Sequence, residues 1–339
     1  MISRRSFALG GVLGLAAGGV GARIALAGPD GPAALAVPEG AIDLTHSAEQ
    51  HIRGKTLYHA TVMQSFSFDK DGKELYAAQL MQGGVQLDDE SGPLTGTERA
   101  KRGDMCVTRL DPSTGEVRDH MFLRGFGHGA SLGVEREGED TYLWVEADAN
   151  PDSGYGRGVA RVRYAKGTVL DCDADSVTVH HPVSGSTSNR PTVDPVAGTL
   201  LVHYRVSGGD RRYRLMRLVD VKAGDYKALH DVAVAGVSED EVFQGCAVLG
   251  DYAYGMTGTA YTGESGANPP SKRGNCYLTC VHLPTGKLSQ REWTQAAYSL
   301  DYREPEGLAI WHTDTPRLCL GFASGAEGSR KYTIYYKPG

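Results

Sequence analysis

The 339-residue sequence has no excess of basic residues and almost no helical signal after residue 50. Lys and Arg number 35 against 41 Asp and Glu, which gives a formal net charge of −6. Because a nucleic-acid-binding surface needs a concentration of positive charge, this balance argues against DNA or RNA as a partner. The length and the 40% content of hydrophobic residues fit one large globular domain or two small ones.

Several sequence motifs of metal proteins and enzymes are missing. No C-x-x-C is present, which argues against a zinc ribbon. The motif H-E-x-x-H is absent, as is a glycine-rich phosphate loop beside a helix. We therefore expect no metal, no cofactor and no catalytic residue. The cysteines leave two interpretations open, since partial disulfide pairing and buried reduced thiols fit equally well; they are Cys106, Cys172, Cys246, Cys276, Cys280 and Cys319.

The N-terminal stretch has no apolar run long enough for a convincing membrane span. Its spacing S-R-R-x-F-x-L, from Ser3 to Leu9, resembles the twin-arginine export signal of bacteria, and "ALA" ending at Ala27 offers a cleavage site. The interpretation is a signal peptide at 1–27, a linker at 28–40 and a folded domain at 41–339. We thus predict a secreted protein without a membrane partner after cleavage. The alternative is an uncleaved lipid-facing anchor.

The remaining chain is a fivefold repeat of short β-rich segments. Each unit starts with a polar residue followed by small and apolar residues, then a turn and further strands separated by Gly, Asp, Asn and Pro. The spacings are 64, 62, 54 and 62 residues, and the leading residues are Gln64, His128, Arg190, Gln244 and Glu306. This pattern predicts an all-β, five-bladed β-propeller with four-stranded antiparallel blades. A β-sandwich would not explain the regular period.

The fifth unit ends after its third strand, "YTIYYKP". An N-terminal run, "AIDLTH" or "TLYHAT", is the simplest source of the missing outer strand. Pairing of this kind would close the ring and leave no unpaired edge. We therefore predict that the two ends of the domain lie in the same blade.

The five leading polar residues have a predicted place in this fold. The first strand of a blade lines the central channel, so the five should form one ring at its mouth. The long loops between second and third strands open on the same face, and such loops often carry function. Their aromatic and charged residues suit polyol and phosphate recognition. With the ring, we select Glu146, Tyr155, Arg157 and Arg205 as ligand-binding candidates.

Other interpretations of this face stay open. The ring residues and ordered water could simply satisfy one another at the channel mouth. A glycan hydrolase or lyase could use His128 as acid or base with Glu306 or Glu146, if they lie within hydrogen-bond reach. A third possibility is an interaction protein that docks another chain on its rim. The pair Cys276 and Cys280, on one face of a strand, favours packing or a disulfide over metal ligation.

Several segments together resemble a known family: "QSFSFD", "GFGHGASLGVEREGEDTYLWVE", "NRPTVDP", "FQGCAVLGDYAY" and "EPEGLAIW". They are similar to the propeller of teichoic acid biosynthesis protein C and of staphylococcal phage receptor-binding proteins, from about Thr56 to the C-terminus. The resemblance implies a five-bladed propeller that recognises cell-wall glycopolymers. It places Gln64, His128, Gln244 and Glu306 in the channel-facing motif, and Arg190 less clearly because Pro191 follows it.

Neither phage receptor-binding proteins nor an intracellular biosynthesis protein would be expected to carry this export signal. The signal therefore favours a secreted recognition role over a biosynthetic one. Secreted propellers of this kind also resemble lectin subunits of actinobacterial antibacterial toxin particles. The expected partners are therefore a cell-surface glycan or glycopolymer and a protein in a secreted complex.

Overall fold

The computed structural model describes residues 37–266 and 268–339. The predicted signal peptide at 1–27 and most of the predicted linker lie outside these residues. The elements, in chain order, are β1 (Glu49–Lys55), β2 (Met63–Phe68), β3 (Leu75–Leu80), α1 (Gly96–Arg102), β4 (Met105–Leu110), β5 (Val117–Arg124), β6 (Gly133–Glu137), β7 (Asp140–Ala149), β8 (Gly156–Arg163), β9 (Val169–Asp171), β10 (Val179–His180), β11 (Ser186–Asp194), β12 (Thr199–Val206), β13 (Arg211–Arg217), α2 (Leu218–Lys222), β14 (His230–Ala233), β15 (Phe243–Leu249), β16 (Tyr252–Thr257), a 3-10 turn (Pro270–Lys272), β17 (Tyr277–His282), β18 (Lys287–Trp293), β19 (Glu304–Trp311), β20 (Arg317–Ser324) and β21 (Lys331–Pro338).

Five sheets form a five-bladed β-propeller, as predicted. The blades are β2-β3-β4-β5-β9, β6-β7-β8-β10, β11-β12-β13-β14, β15-β16-β17-β18 and β19-β20-β21-β1. The first strands β2, β6, β11, β15 and β19 contact one another in a closed circuit, so they surround the central axis. Among the described residues, no helix has the length and apolar content to cross a membrane.

The hydrophobic core lies between the blades, with one cluster at each of the five blade-to-blade contacts. Successive side chains of a strand point to opposite faces of its sheet. On β12, Leu201 therefore packs toward the fourth blade, whereas Leu200 and Val202 pack toward the second. Because the second strands of the blades are buried on both faces, several of them are nearly continuous apolar runs, as in β3, β16 and β20. All six cysteines are free thiols, and Cys276 and Cys280 pack within one of these clusters.

An N-terminal strand completes the fifth blade, as predicted, but both segments proposed for it were wrong. The outer strand is β1, which lies between the two proposed runs and pairs antiparallel with β21. The run "AIDLTH" instead packs Ile42 and Leu44 against the contact between the fourth and fifth blades. Its backbone is held by side chains, since the Ile42 N–H donates to Tyr254 Oη (2.8 Å) and the Leu44 N–H to Gln290 Oε1 (2.9 Å).

The first blade departs from the predicted four strands. The short strand β9, from the connection that follows β8, adds to β5 in parallel, which makes this sheet five-stranded. The loop before β4 contains α1, which the sequence analysis missed. Its signal was present: Thr95 and Glu98 form a reciprocal capping box, and Gly103 ends the helix at φ 72°.

The second blade also begins later than predicted. The segment from His128 was expected to be its first strand, but β6 starts at Gly133 and His128 lies in irregular backbone. Gly125 and Gly129 adopt φ of 75° and 79°, a conformation that interrupts a regular β-strand. The Glu146 carboxylate accepts the backbone N–H groups of His128 (3.0 Å) and Ala130 (3.2 Å), so a side chain takes the place of a strand partner.

Candidate functional site

All five leading polar residues line one cavity at the mouth of the central channel. The cavity has a volume of about 220 Å³, and each blade contributes one of Gln64, His128, Arg190, Gln244 and Glu306. Gln64, Gln244 and Glu306 lie within the first three residues of their innermost strands, and Arg190 lies in the middle of β11. The glycine turn brings His128 to the same cavity. We name this space the channel-mouth cavity.

Arg190 is the cationic group of the channel-mouth cavity. Its guanidinium carbon lies 4.9 Å from the ring centre of Tyr155 and 4.7 Å from that of Phe243. Its Nη1 donates to Nδ1 of the buried His203 at 3.2 Å. Within residues 37–266 and 268–339, no carboxylate lies within salt-bridge distance of it, whereas most neighbouring arginines have one. The charge is thus fixed between aromatic rings, and no described carboxylate forms a salt bridge with it.

His128 and Tyr155 form a stacked pair beside this arginine, with ring centres 4.7 Å apart. Burial and the Arg190 charge lower the pKa of His128 to about 4, so its imidazole is neutral at physiological pH. Glu146, which we had placed among the ligand-binding residues, is fully buried behind His128. In addition to two N–H groups of the His128 segment, its carboxylate accepts the Gly156 N–H at 3.0 Å. Glu146 therefore positions the cavity wall.

Glu306 and Gln244 supply the remaining polar surface. Burial, with a smaller contribution from the Glu304 charge, raises the pKa of Glu306 well above its ordinary value and favours the uncharged carboxylic acid. A protonated carboxyl can donate a hydrogen bond. The Gln244 Nε2 donates to the Gly258 carbonyl at 2.9 Å, which fixes its orientation. The cavity consequently combines the Arg190 guanidinium with neutral polar groups and with the carboxylate of Glu304, which also lines it. Arg190 is the group in this lining that can attract an anionic ligand.

Two other predicted site residues lie outside the cavity lining. Arg157 is exposed and forms an ion pair with Asp148, which lines a separate cleft of about 640 Å³ between the first two blades. Arg205 lies on the third blade, where its Nε donates to the Gly209 carbonyl at 3.0 Å. In the described part of the chain, no cluster of three or more His, Cys, Asp or Glu side chains is arranged to hold a metal ion.

A second depression, of about 600 Å³, joins the channel-mouth cavity through the shared residues Val62, Gln64 and His128. Its walls come from the loops of the first and fifth blades, including Met81 and Arg330. We name it the trench. The sequence analysis found neither the trench nor Phe243. For Phe243 a signal existed, since it directly precedes Gln244 in "FQGC".

Comparisons with known proteins place this geometry in a family. The pattern of the phage 5-bladed beta propeller receptor binding platform domain matches residues 62–336. A Bacillus subtilis (strain 168) protein named for major teichoic acid biosynthesis, protein C, is 24% identical over 286 residues, covering 81% of this chain and 59% of its own length. The tail fiber of Staphylococcus aureus phage P68 superposes with a TM-score of 0.65 at 20% identity, covering 87% of this chain and 53% of the fiber chain.

This chain therefore spans between half and three-fifths of these two proteins, and the similarity to the tail fiber shows a shared fold. The family match covers most of the described propeller, including all five residues that ring the channel-mouth cavity. The chain belongs to the family of phage five-bladed β-propeller receptor-binding platform domains.

Proposed function

We propose that this propeller is a secreted, lectin-like domain whose channel-mouth cavity binds an anionic cell-wall glycopolymer such as a teichoic acid. The observation that carries the proposal is Arg190, a guanidinium held between two aromatic rings with no salt bridge to a described carboxylate. Arginine presents several donors in a planar fork that matches the oxygens of a phosphate or carboxylate. The neutral polar groups around it suit the hydroxyl groups of a polyol.

The name of the Bacillus subtilis relative and the receptor-binding description of the family also support binding to a cell-wall polymer. Export rests on the N-terminal resemblance to a twin-arginine signal. A role as targeting subunit of a larger antibacterial assembly also belongs to the proposal. It would make the propeller the part that selects the surface to which a partner protein is delivered.

We expect the mature protein to co-sediment with purified Gram-positive cell walls and to release neither reducing ends nor phosphate from them. Walls from which the anionic polymers have been extracted should retain much less protein, because Arg190 would lose its counter-ion. Sedimentation followed by assays of the supernatant measures both quantities. Equal retention on intact and extracted walls would contradict the proposal.

The alternative is a glycan hydrolase or lyase that uses His128. Its imidazole is neutral and stacked on Tyr155 at the cavity wall, and a neutral imidazole can accept a proton. Product release that disappears in His128→Gln would favour this enzyme. Binding without products would favour the lectin-like domain.

A further inference from the structure

Two further arginines continue the positive charge of the channel-mouth cavity across the third blade. Arg205 on β12 and Arg211 on β13 lie directly opposite each other in the antiparallel ladder. Arg190 lies opposite His203, two positions before Arg205 on the same strand. Side chains two residues apart share one face of a sheet, so all three arginines belong to the same face. Like charges placed directly opposite each other destabilise a sheet.

The protein compensates this cluster only in part, through the more distant charges of Glu239 and Glu241 on Arg211. Within the described residues, no carboxylate lies within salt-bridge distance of Arg205 or Arg211, just as none does for Arg190. The adjacent Arg212, by contrast, is bound by the Asp231 carboxylate, 2.8 Å away. The hydrogen bonds of the Arg205 and Arg211 side chains are to backbone, with Arg211 Nη2 donating to the Glu239 carbonyl at 3.0 Å. Neither the buried Arg211 Nη1 nor the buried Arg190 Nε has a hydrogen-bond partner among the described residues.

The charges of Arg190 and Arg205 act on the side chain of Arg211. Burial and the charges of Arg190 and Arg205 lower the pKa of Arg211, although arginines in ion pairs of this protein have raised pKa values. Burial and the charges of Arg190 and Arg211 also lower the pKa of His203, which keeps that imidazole neutral. A ligand anion placed here would relieve this repulsion and use donors that the protein leaves free.

We infer that Arg190, Arg205 and Arg211 form one arginine track that binds successive anionic groups of a linear polymer. The inference rests on the proposed function and extends it from a single anionic group to a repeating polyanion bound along its length. The trench supports binding to an internal stretch of the polymer and not only to its end. It leaves the channel-mouth cavity open toward the first and fifth blades. A chain can therefore enter from one side and continue over the third blade on another.

The test compares Arg211→Gln with Arg212→Gln by calorimetry, using poly(glycerol phosphate), a polyuronate and monomeric glycerol phosphate as probes. Arg212 is the matched control, since it is the next residue and already has a carboxylate partner. We expect Arg211→Gln to weaken polymer binding about tenfold, the effect of losing one charge-assisted contact. Its affinity for the monomer should not change. The remaining polymer affinity should also depend less on salt, because fewer ionic contacts are formed.

Thermal unfolding separates these effects from misfolding, and Arg211→Gln should unfold no earlier than wild type because it removes a repulsion. Preference for the phosphate polymer over the polyuronate would identify phosphodiesters as the bound groups, whereas equal binding would identify a general polyanion track. If Arg211→Gln and Arg212→Gln bound the polymer equally well, the arginine track would be wrong. If Arg190→Gln also bound it like wild type, the proposed function of the cavity would fail as well.

Discussion

Replacing Arg190 with glutamine should lower the affinity for cell-wall polymer by about 10- to 100-fold. Charge-assisted hydrogen bonds contribute about 1.5–3 kcal/mol each, and every 1.4 kcal/mol is about a factor of ten in affinity. Glutamine keeps a polar side chain of intermediate length but removes the charge and the planar fork. Binding isotherms on purified walls measure the difference.

Arg157→Gln is the matched control for this variant. Arg157 was predicted to bind ligand as a loop residue of the same face, but it pairs with Asp148 outside the cavity. Its loss should change wall binding little. Tyr155→Ala should fall between the two, because it removes one aromatic wall of the Arg190 site and the stack on His128. A wild-type affinity in a folded Arg190→Gln protein would refute the cavity as the binding site.

A truncated chain that begins at Thr56 should lose most of its stability. It lacks β1 and with it the whole outer edge of the fifth blade. It also lacks the buried side chains of Ile42, Leu44 and Ile52. Burial of an aliphatic side chain contributes about 1.5–3 kcal/mol, so three of them approach the total of about 5–15 kcal/mol that stabilises a typical domain. We expect loss of cooperative unfolding or a large fall in Tm.

The control is a chain that begins at Val37, which keeps every element of the propeller. Its calorimetric unfolding curve should match that of the mature protein. The single variant Ile52→Ala removes only one of these buried side chains. It should lower the free energy of unfolding by about 2–5 kcal/mol. If the chain beginning at Thr56 melted at the temperature of the longer one, closure by β1 would not stabilise the ring.

The fold could be predicted because the repeat is periodic in two ways. Strands of alternating or apolar residues recur within each unit, and the polar leading residue recurs between units. That second period placed five distant residues around one cavity. The outer strand was misassigned because "AIDLTH" has the apolar pattern of a strand, but its Ile42 and Leu44 pack into an inter-blade cluster. The true strand, "EQHIRGK", buries only Ile52 and is otherwise polar, as an exposed edge strand can be.

The electrostatics of the site could not be predicted from residue types. Glu146 and Glu306 are both predicted ligand-binding glutamates, yet one supports the wall with three backbone contacts and the other faces the cavity. Likewise, Arg211 and Arg212 are adjacent in sequence but lie on opposite faces of β13, and only Arg212 meets Asp231. Such distinctions depend on which groups approach one another in space, which a sequence pattern does not specify.

Hydrogen exchange of the mature protein with and without soluble cell-wall polymer tests the binding face most directly. Polymer bound at the channel mouth should slow exchange in residues 125–132, 186–190 and 242–246, which form or support the cavity wall. The turns at 69–74 and 111–116, at the opposite ends of the first-blade strands, should exchange as before, and Arg190→Gln should abolish the protection. Protection confined to those turns or to the outer strands would contradict the assignment of the channel-mouth cavity as the binding site.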